Sequence, residues 1–420
     1  MRAAAAIASF LIYAGTNCEA VKAAVIVQDT LETAVSAPVD LTGQDDFFTI
    51  YAAERYLYDD NVYRLSSDIT DLQALSGIGS HASRQDHIDT TTLGLDGQWS
   101  RGRQTFIVDL NADDNRFNIN DNLNNISHND KVQWNWDLNG LLTGQVGATY
   151  NSGLAGFVNA TVYSRNIIDT TSYFSSARYQ VGPRWAFFGG ILDSGTTLSA
   201  PASQVNDYRS KSAEFGTEFV ATVKTTTGLG YRHTDGRYPQ SATGSENFRE
   251  DIAYFYAKHE FTEKTSINGS AGYLQRDYSN SFIDSFSGLV WSLSLQWKPT
   301  DKIQLGADAW RRLQAYVTAQ SDYFVSKGGS IAPRWVASEK IAFSLFLSVE
   351  YQDYIGRPAF SDLSLVARRD TVSLSQAKFA YTPNRFLIVD LAYGYQKRNS
   401  NLQHLSFDDI LAGATATLKF

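Results

Sequence analysis

Three things are scarce in this sequence: cysteine, charged residues and long apolar runs. A single cysteine, Cys18, stands among 420 residues, so no disulfide can form within the chain and a Cys/His zinc cluster is excluded. No uninterrupted apolar run of about eighteen residues follows the N-terminus, which excludes lipid-facing transmembrane helices. Charged residues make up only 19% of the chain and the formal net charge is -8, an acidic balance that argues against a nucleic-acid partner.

Aromatic residues and glycine are abundant. The chain has 23 tyrosines, 24 phenylalanines and 30 glycines, and its mean hydropathy is slightly negative at -0.27. A helical membrane protein would be far more hydrophobic, whereas a transmembrane β-barrel hides its apolar half by alternation along each strand. Composition is similar from residue 47 to residue 420, and no linker divides it. We therefore expect one large repetitive unit rather than two or three soluble domains.

The N-terminus has the pattern of a secretory signal peptide. Arg2 precedes an apolar core at residues 3 to 15 that is too short to span a bilayer. Small residues place the cleavage after Ala23, with Ala20 as the second choice, and either cut removes the cysteine. The predicted organisation is a signal peptide at 1–23, a short periplasmic segment at 24–46 and a barrel at 47–420. The second segment is too short for an N-terminal plug domain.

The C-terminal segment alternates strictly between apolar and polar or small residues. From Ile410 to Phe420 every second residue is apolar, which is the pattern of a strand with one apolar face. The segment resembles the last strand of bacterial outer-membrane β-barrels, whose terminal aromatic residue is recognised by the barrel-assembly machinery. Phe420 is thus a predicted insertion signal, and the alternative is the edge strand of a soluble sheet.

Tight turns alternate with longer polar stretches along the chain. This order predicts an all-β fold, a transmembrane antiparallel up-and-down β-barrel of about eighteen strands, with sixteen as the fallback. Short turns would lie at the periplasmic rim and longer loops outside. Long loops such as those at 59–86 and 113–129 would be able to fold in and restrict the lumen. The tight turns are predicted at 100–103, 139–140, 182–184, 223–225, 263–264, 299–301, 336–339 and 383–384. The longer connections are predicted near residues 59–86, 113–129, 151–169, 198–209, 235–248, 278–285, 317–321, 355–369 and 399–406.

The parity of each strand assigns its side chains to lipid or lumen. In the segment 289–297, Leu293 and its apolar neighbours at odd positions face lipid, while Ser292 and the other polar residues face the lumen. Lumen charges of both signs favour a pore for polar, hydrated material without strong selection of ion sign. Alternatively, the charges pair across the wall and the aromatic rings fill space. The predicted lumen-lining residues are Asp137, Glu214, Glu218, Arg232, Tyr254, Tyr256, Lys258, Arg276, Asp308, Trp310, Arg312, Glu350 and Asp390.

The sequence offers little for catalysis or metal binding. Among six histidines, the only close acid/base arrangements are His233 beside Asp235 and His87 beside Asp86 or Asp89, and no nucleophile motif accompanies either. We predict no enzymatic activity, no catalytic residues and no cofactor. Asp and Asn clusters occur in the predicted outer loops, but their spacing matches no defined calcium loop, so no metal site is predicted.

Two segments resemble a known family. Tyr56-Leu-Tyr-Asp-Asp-Asn-Val-Tyr-Arg64 resembles the motif of the EpsL family of outer-membrane proteins, which are encoded with exopolysaccharide operons. Lys131-Val-Gln-Trp-Asn-Trp-Asp137 is similar to the tryptophan-bearing strand that follows the second loop in that family. The resemblance implies an outer-membrane barrel that serves the export or assembly of a secreted polysaccharide, and it carries no catalytic residues over.

The predicted function is a porin of the bacterial outer membrane that provides a hydrophilic channel for export of an exopolysaccharide. The alternatives are a general diffusion porin for small polar solutes and a non-conducting docking barrel of a secretion system. The expected partners are a polysaccharide, outer-membrane lipid, the barrel-assembly machinery and other polysaccharide-export proteins. No nucleic acid is expected to bind.

Overall fold

The computed structural model describes residues 47–158, 160, 162–240, 247–280, 285–318, 321–355 and 367–420. The predicted signal peptide and the segment at 24–46 lie outside the described residues, and their assignment stays a prediction. Strands account for most of the described chain, with three short 3-10 helices at Leu72–Ala74, Asp121–Leu123 and Pro201–Asn206.

Helices of membrane-crossing length and hydropathy do not occur in the described ranges.

The described residues form an eighteen-stranded sheet. Its strands are β1 (Phe47–Asp59), β2 (Asp86–Arg101), β3 (Gln104–Phe117), β4 (Asn125–Asp137), β5 (Leu142–Leu154), β6 (Ile167–Val181), β7 (Trp185–Leu198), β8 (Tyr208–Thr222), β9 (Thr225–Arg237), β10 (Phe248–Thr262), β11 (Thr265–Tyr278), β12 (Phe286–Thr300), β13 (Ile303–Thr318), β14 (Ser321–Ser338), β15 (Ile341–Ile355), β16 (Arg369–Asn384), β17 (Leu387–Ser400) and β18 (Phe407–Lys419).

The sheet closes on itself. Each strand pairs antiparallel with the next, and β1 pairs antiparallel with β18, from Tyr51 opposite Lys419 to Asp59 opposite Leu411. The backbone N–H of Phe420 continues this seam by donating to the carbonyl of Ile50 at 2.8 Å. Closure leaves no open edge among the described strands, which is what a strand-built structure needs in lipid. The predicted up-and-down barrel of eighteen strands is confirmed, and the fallback of sixteen is wrong.

Connections of two to four residues join the strands at one rim. The other rim carries longer connections, except for the two residues between β13 and β14. Several predicted boundaries move, among them those of two outer connections. Residues 113–117 belong to β3, because its pairing with β4 continues to Asn115 opposite Asn125, so the second outer loop is only 118–124. Likewise β13 and β14 extend to Thr318 and from Ser321, so a loop at 317–321 is wrong; residues 319 and 320 lie outside the described part. Polar strand ends that rise above the lipid belt resemble loops in sequence.

Side chains alternate between an apolar outer face and a polar inner face. Leu293 on β12 is exposed on the outside, while the hydroxyl of Ser292 bonds that of Ser270 on the inside at 2.9 Å. Aromatic rings stack on the outer face near the short-turn rim: the ring of Phe106 lies 5.4 Å from Trp99 and 5.9 Å from Trp134. Such a girdle is typical of the membrane–water interface of outer-membrane barrels.

Candidate functional site

The inner face of the barrel carries the residues that could act on a solute. By strand parity, the structure places Glu214, Glu218, Arg232, Tyr254, Tyr256, Lys258, Arg276, Asp308, Trp310, Arg312, Glu350 and Asp390 on this face. On β10, for example, Tyr256 is buried whereas its neighbour Phe255 is exposed on the outside. These residues come from seven different strands, so they form a wall rather than one compact constellation.

Asp137 has a different position from the rest of the predicted lumen set. It ends β4 at the short-turn rim, where its Oδ1 accepts hydrogen bonds from the backbone N–H groups of Asn139, at 2.9 Å, and Gly140. Gly140 has a φ of 79°, a left-handed conformation that glycine adopts without strain. A side chain that bonds the backbone two and three residues ahead is a turn cap. Asp137 therefore stabilises the turn between β4 and β5.

Several charges on the inner wall are paired with an opposite charge from another strand. Arg178 Nη2 lies 2.5 Å from Glu218, Lys378 lies 3.3 Å from Asp390, and Arg312 lies 3.7 Å from Glu350. Lys258 contacts Glu260 on its own strand at 3.1 Å. At these positions the wall presents neutralised pairs of both signs.

The two lumen tyrosines belong to this paired network. Tyr254 donates to Glu214, and Tyr256 donates to Glu218 at 3.1 Å, so each carboxylate is held by a phenol. Both rings lie against glycines of β9, because a Cβ atom on Gly228 or Gly230 would come within 2.3 Å of a ring carbon. The rings therefore fill space along the wall, as the alternative to direct solute stacking requires.

Glu250 and Arg276 form a deeply buried ion pair on the inner wall near the long-loop rim. Arg276 Nε and Nη2 donate to Glu250 Oε2 at 2.9 and 2.5 Å, and both side chains are less than 5% exposed. The guanidinium also lies 4.1 Å from the ring centre of Phe248. Water cannot replace either partner at this depth, so the pair depends on both residues being present.

Replacing Glu250 with alanine is expected to lower the free energy of unfolding by about 3–5 kcal/mol, because it leaves a buried, unpaired guanidinium. Replacing Asp353 is the matched control. Its pair with Lys327 at 3.1 Å is about half exposed, and loss of an exposed pair costs about 0–1 kcal/mol. Urea unfolding in lipid vesicles, followed by tryptophan fluorescence, measures both. Equal losses in the two variants would contradict the burial argument.

The first outer loop, residues 60–85, folds into the mouth of the barrel. Tyr63 is 0% exposed and Leu65 is 2% exposed, and both belong to an apolar cluster with Leu57, Ile88 and Leu411. Those three wall residues have inner-face parity on β1, β2 and β18. Burial raises the pKa of Tyr63 to about 12, so its hydroxyl stays protonated and donates to Asn120 Oδ1 at 3.1 Å. This cluster, which also contains Val62, Phe117, Leu123, Leu154 and Phe157, is called the mouth cluster below.

Asp86 locks the second outer loop, residues 118–124, onto the start of β2. Its carboxylate accepts from the backbone N–H groups of Asn118, Ile119 and Asn120 at 3.1, 2.9 and 2.7 Å, and from the Asn120 side chain at 2.8 Å. The carboxylate is fully buried, yet it is satisfied. A charged acceptor with several amide donors fixes a loop far more firmly than apolar contact alone. The loop is therefore a rigid part of the mouth.

The third outer loop, residues 155–166, reaches across to a distant strand. Arg398 on β17 donates from Nη1 to the carbonyl of Val158 at 2.5 Å, although the loop leaves from β5. Five strands lie between these two attachment points in the ring, namely β4, β3, β2, β1 and β18. The loop thus bridges about a third of the circumference, over the same sector that the mouth cluster covers.

The end of the β13–β14 hairpin covers part of the inner wall that β10, β11 and β12 form. Pairing between β12 and β13 stops at Trp291 opposite Arg311, whereas β12 itself continues to Phe286 against β11. Beyond that point Leu313, Tyr323 and Val325 are buried, and they pack with inner-face residues of neighbouring strands. Those wall residues are Ile252, Leu274 and Phe286. The hairpin end has therefore bent inward over the lumen, opposite the first loop.

Sequence reasoning identified one inward element and missed the other. The prediction allowed the loop at 59–86 to restrict the channel, and the buried residues Tyr63 and Leu65 now mark how it does so. The inward bend of the hairpin end was not predicted, because apolar and polar residues alternate there as in an ordinary strand. The signal that could have revealed it is the run Tyr323-Phe324-Val325, in which apolar residues occupy both faces.

The histidines do not form a hydrolytic site in the described part of the chain. His233 Nδ1 lies 2.8 Å from Asp251 and its Nε2 lies 3.6 Å from Asp235, but by strand parity the three side chains are on the outer face. The ring of His87 bonds the hydroxyl of Tyr56 at 2.5 Å rather than Asp86, whose carboxylate serves the second loop. The close pairings expected from sequence therefore hold for His233 and are wrong for His87.

The second part of the chain is similar to a known protein family. Residues 257–420, from within β10 to the C-terminus, match the family model described as Putative beta-barrel porin 2. No curated protein matches the chain.

Solved structures with similar architecture include two Pseudomonas aeruginosa proteins and one from Acinetobacter baumannii. OccK3 (OpdO) of P. aeruginosa has 11% identity over 93% of this chain and 97% of its own, with a TM-score of 0.47. OccK11 (OpdR) has 10% identity over 89% and 96%, with a TM-score of 0.46. OccAB3 of A. baumannii has 9% identity over 89% and 99%, with a TM-score of 0.46.

The described strands form a closed barrel whose outer face is apolar and carries an aromatic girdle. The chain is a β-barrel of the bacterial outer membrane, and its second part is similar to a porin family.

Proposed function

We propose that the protein is a passive diffusion channel for small polar solutes, with a narrow extracellular mouth. The observation that carries this proposal is the inward packing of the first loop and of the β13–β14 hairpin end, on two sides of the lumen. Below the mouth, the inner wall is polar and carries charge pairs of both signs. A hydrated solute that passes the mouth meets hydrogen-bonding partners along the wall.

A narrow mouth favours small solutes over a polymer. Export of a polysaccharide, which the family resemblance implies, needs a continuous path that a hydrated chain can thread. The segment that carries the resemblance serves another purpose in the structure: Tyr63 packs in the mouth cluster, and Asn61 bonds the backbone carbonyls of Leu65 and Asp408 at 2.9 and 2.8 Å. These roles build the mouth and leave no need for a polymer ligand.

Little discrimination between anions and cations belongs to the same proposal. Because Arg178, Lys378 and Arg312 are each neutralised by a carboxylate, the wall carries little net potential at those positions. Size and hydration, rather than charge sign, would then decide what passes.

Liposome swelling tests the proposal. Vesicles that contain the purified barrel are placed in isotonic solutions of neutral sugars of increasing length, and the rate of light-scattering change is recorded. We expect fast swelling with a monosaccharide, slower swelling with a disaccharide and none with a long dextran. Protein-free vesicles are the control. Absence of swelling with every sugar would favour the docking barrel, and equal rates for short and long sugars would favour polymer export.

A further inference from the structure

Three carboxylates meet where the first strand ends and the last strand begins. Asp59 is the final residue of β1, Asp60 is the first residue of the first loop, and Asp409 lies near the start of β18. One oxygen atom from each can be chosen so that all three lie within 4.8 Å of one another. They sit at the long-loop end of the seam that closes the barrel, directly beside the mouth cluster.

Arg64 neutralises only part of this charge. Its Nη1 contacts Asp59 Oδ1 and Oδ2 at 3.1 and 3.0 Å, and its Nη2 contacts Asp409 Oδ2 at 3.1 Å. Asp60 Oδ1 accepts from the backbone N–H of Ile410 at 2.6 Å, which brings no full charge. Three carboxylates, two of them buried and that of Asp60 half-buried, face one guanidinium and leave an excess of two negative charges.

The carboxylate of Asp409 is buried and incompletely satisfied. Its side chain is 0% exposed, and neither carboxylate oxygen accepts a hydrogen bond from a donor in the described part of the chain. Asp86, the other fully buried carboxylate in this region, has several amide donors. A buried carboxylate without hydrogen bonds is costly unless a cation completes its surroundings. Because the ion pair with Arg64 engages Oδ2, Oδ1 is left for another cation.

We propose that Asp59, Asp60 and Asp409 bind a calcium ion. Calcium takes six to eight oxygen ligands in flexible geometry, so three carboxylates with water and backbone oxygens suit it. Magnesium requires a nearly ideal octahedron and gives up water reluctantly, which an irregular cluster shared with a guanidinium does not favour. The excess of two negative charges matches the charge of the ion.

Calcium at this position would fasten the first loop to the closing seam. Asp59 and Asp409 lie on the two strands that close the barrel, and Asp60 opens the loop that carries Tyr63 and Leu65 into the mouth. An ion shared by all three therefore links barrel closure to the shape of the mouth. This inference is independent of which solute passes.

Isothermal titration calorimetry of EDTA-treated, detergent-solubilised barrel tests the site, with calcium chloride as the titrant and magnesium chloride as the comparison. We expect one calcium per chain and much weaker binding of magnesium. Asp60→Asn should weaken calcium binding at least about tenfold, because it removes one charged ligand. Asp409→Asn should remove measurable binding. Asp68→Asn is the matched control, since Asp68 lies in the same loop but pairs with His404 at 2.7 Å.

The heat-modifiable shift of folded barrels in gel electrophoresis checks that each variant folds. If Asp409→Asn fails to fold, the half-buried Asp60 keeps the test intact. Absence of calcium binding by the unaltered protein overturns the proposal and leaves a proton shared among the carboxylates as the buried counter-charge. Equal binding by the Asp60→Asn and Asp68→Asn variants also overturns it.

Discussion

Replacing Tyr63 and Leu65 together with aspartate is expected to raise the single-channel conductance about twofold or more, because the narrowest segment of a pore limits its current. Both side chains are buried in the mouth cluster, and a buried, unpaired carboxylate costs several kcal/mol. The loop can escape that cost only by leaving the lumen. The strands of the wall keep their pairing, so the barrel itself should persist. Conductance in planar lipid bilayers measures the change.

Gln73→Asp is the matched control for this prediction. Gln73 lies in the same loop and is exposed, so a carboxylate there adds one negative charge, half that of the double variant, without disturbing the mouth cluster. We expect its conductance to equal that of the unaltered protein. Equal conductance in the double variant and the control would show that the first loop does not limit the channel.

Leu293→Arg is expected to reduce assembly of the barrel in the outer membrane severely. Leu293 lies in the middle of β12 with its side chain exposed on the outer face. A cation at the bilayer midplane on the lipid face costs about 2–4 kcal/mol. The amount of heat-modifiable, folded protein in the outer-membrane fraction measures the effect.

Ser292→Arg separates the lipid face from the inner face. Ser292 is adjacent to Leu293 and bonds Ser270 within the lumen, where an arginine side chain can stay hydrated. We expect near-normal assembly of this variant. A loss as large as that of Leu293→Arg would refute the assignment of faces along β12.

The sequence predicted the barrel because the rule behind it is local. Along a strand between lipid and water, apolar and polar side chains must alternate, so the faces of Leu293 and Ser292 can be assigned without reference to any distant residue. The same is true of the tight turns, such as the one around Gly140, where a left-handed φ calls for glycine. Closure of the barrel was also predicted, because the alternation from Ile410 to Phe420 marks the last segment as a strand with one lipid-facing side.

The mouth could not be predicted because it depends on contacts between distant segments. Arg64 meets Asp409 and Arg398 meets Val158 only after the barrel has closed. From sequence, polar residues such as Asp86 and Asn120 are expected to be solvated, yet they are buried and hydrogen-bonded to each other. The inward bend of the β13–β14 hairpin shows the same limit, since alternation sets a side chain's face but not the path of the strand.

The central claim is a conducting barrel whose extracellular mouth admits only small solutes. Single-channel recording in planar bilayers with polyethylene glycols of graded size, added on the loop side, tests it most directly. We predict stepwise ion currents that small glycols reduce, because they enter the lumen, and that large glycols leave unchanged. A protein that gives no current steps, or a current that large glycols reduce as much as small ones, would contradict this account.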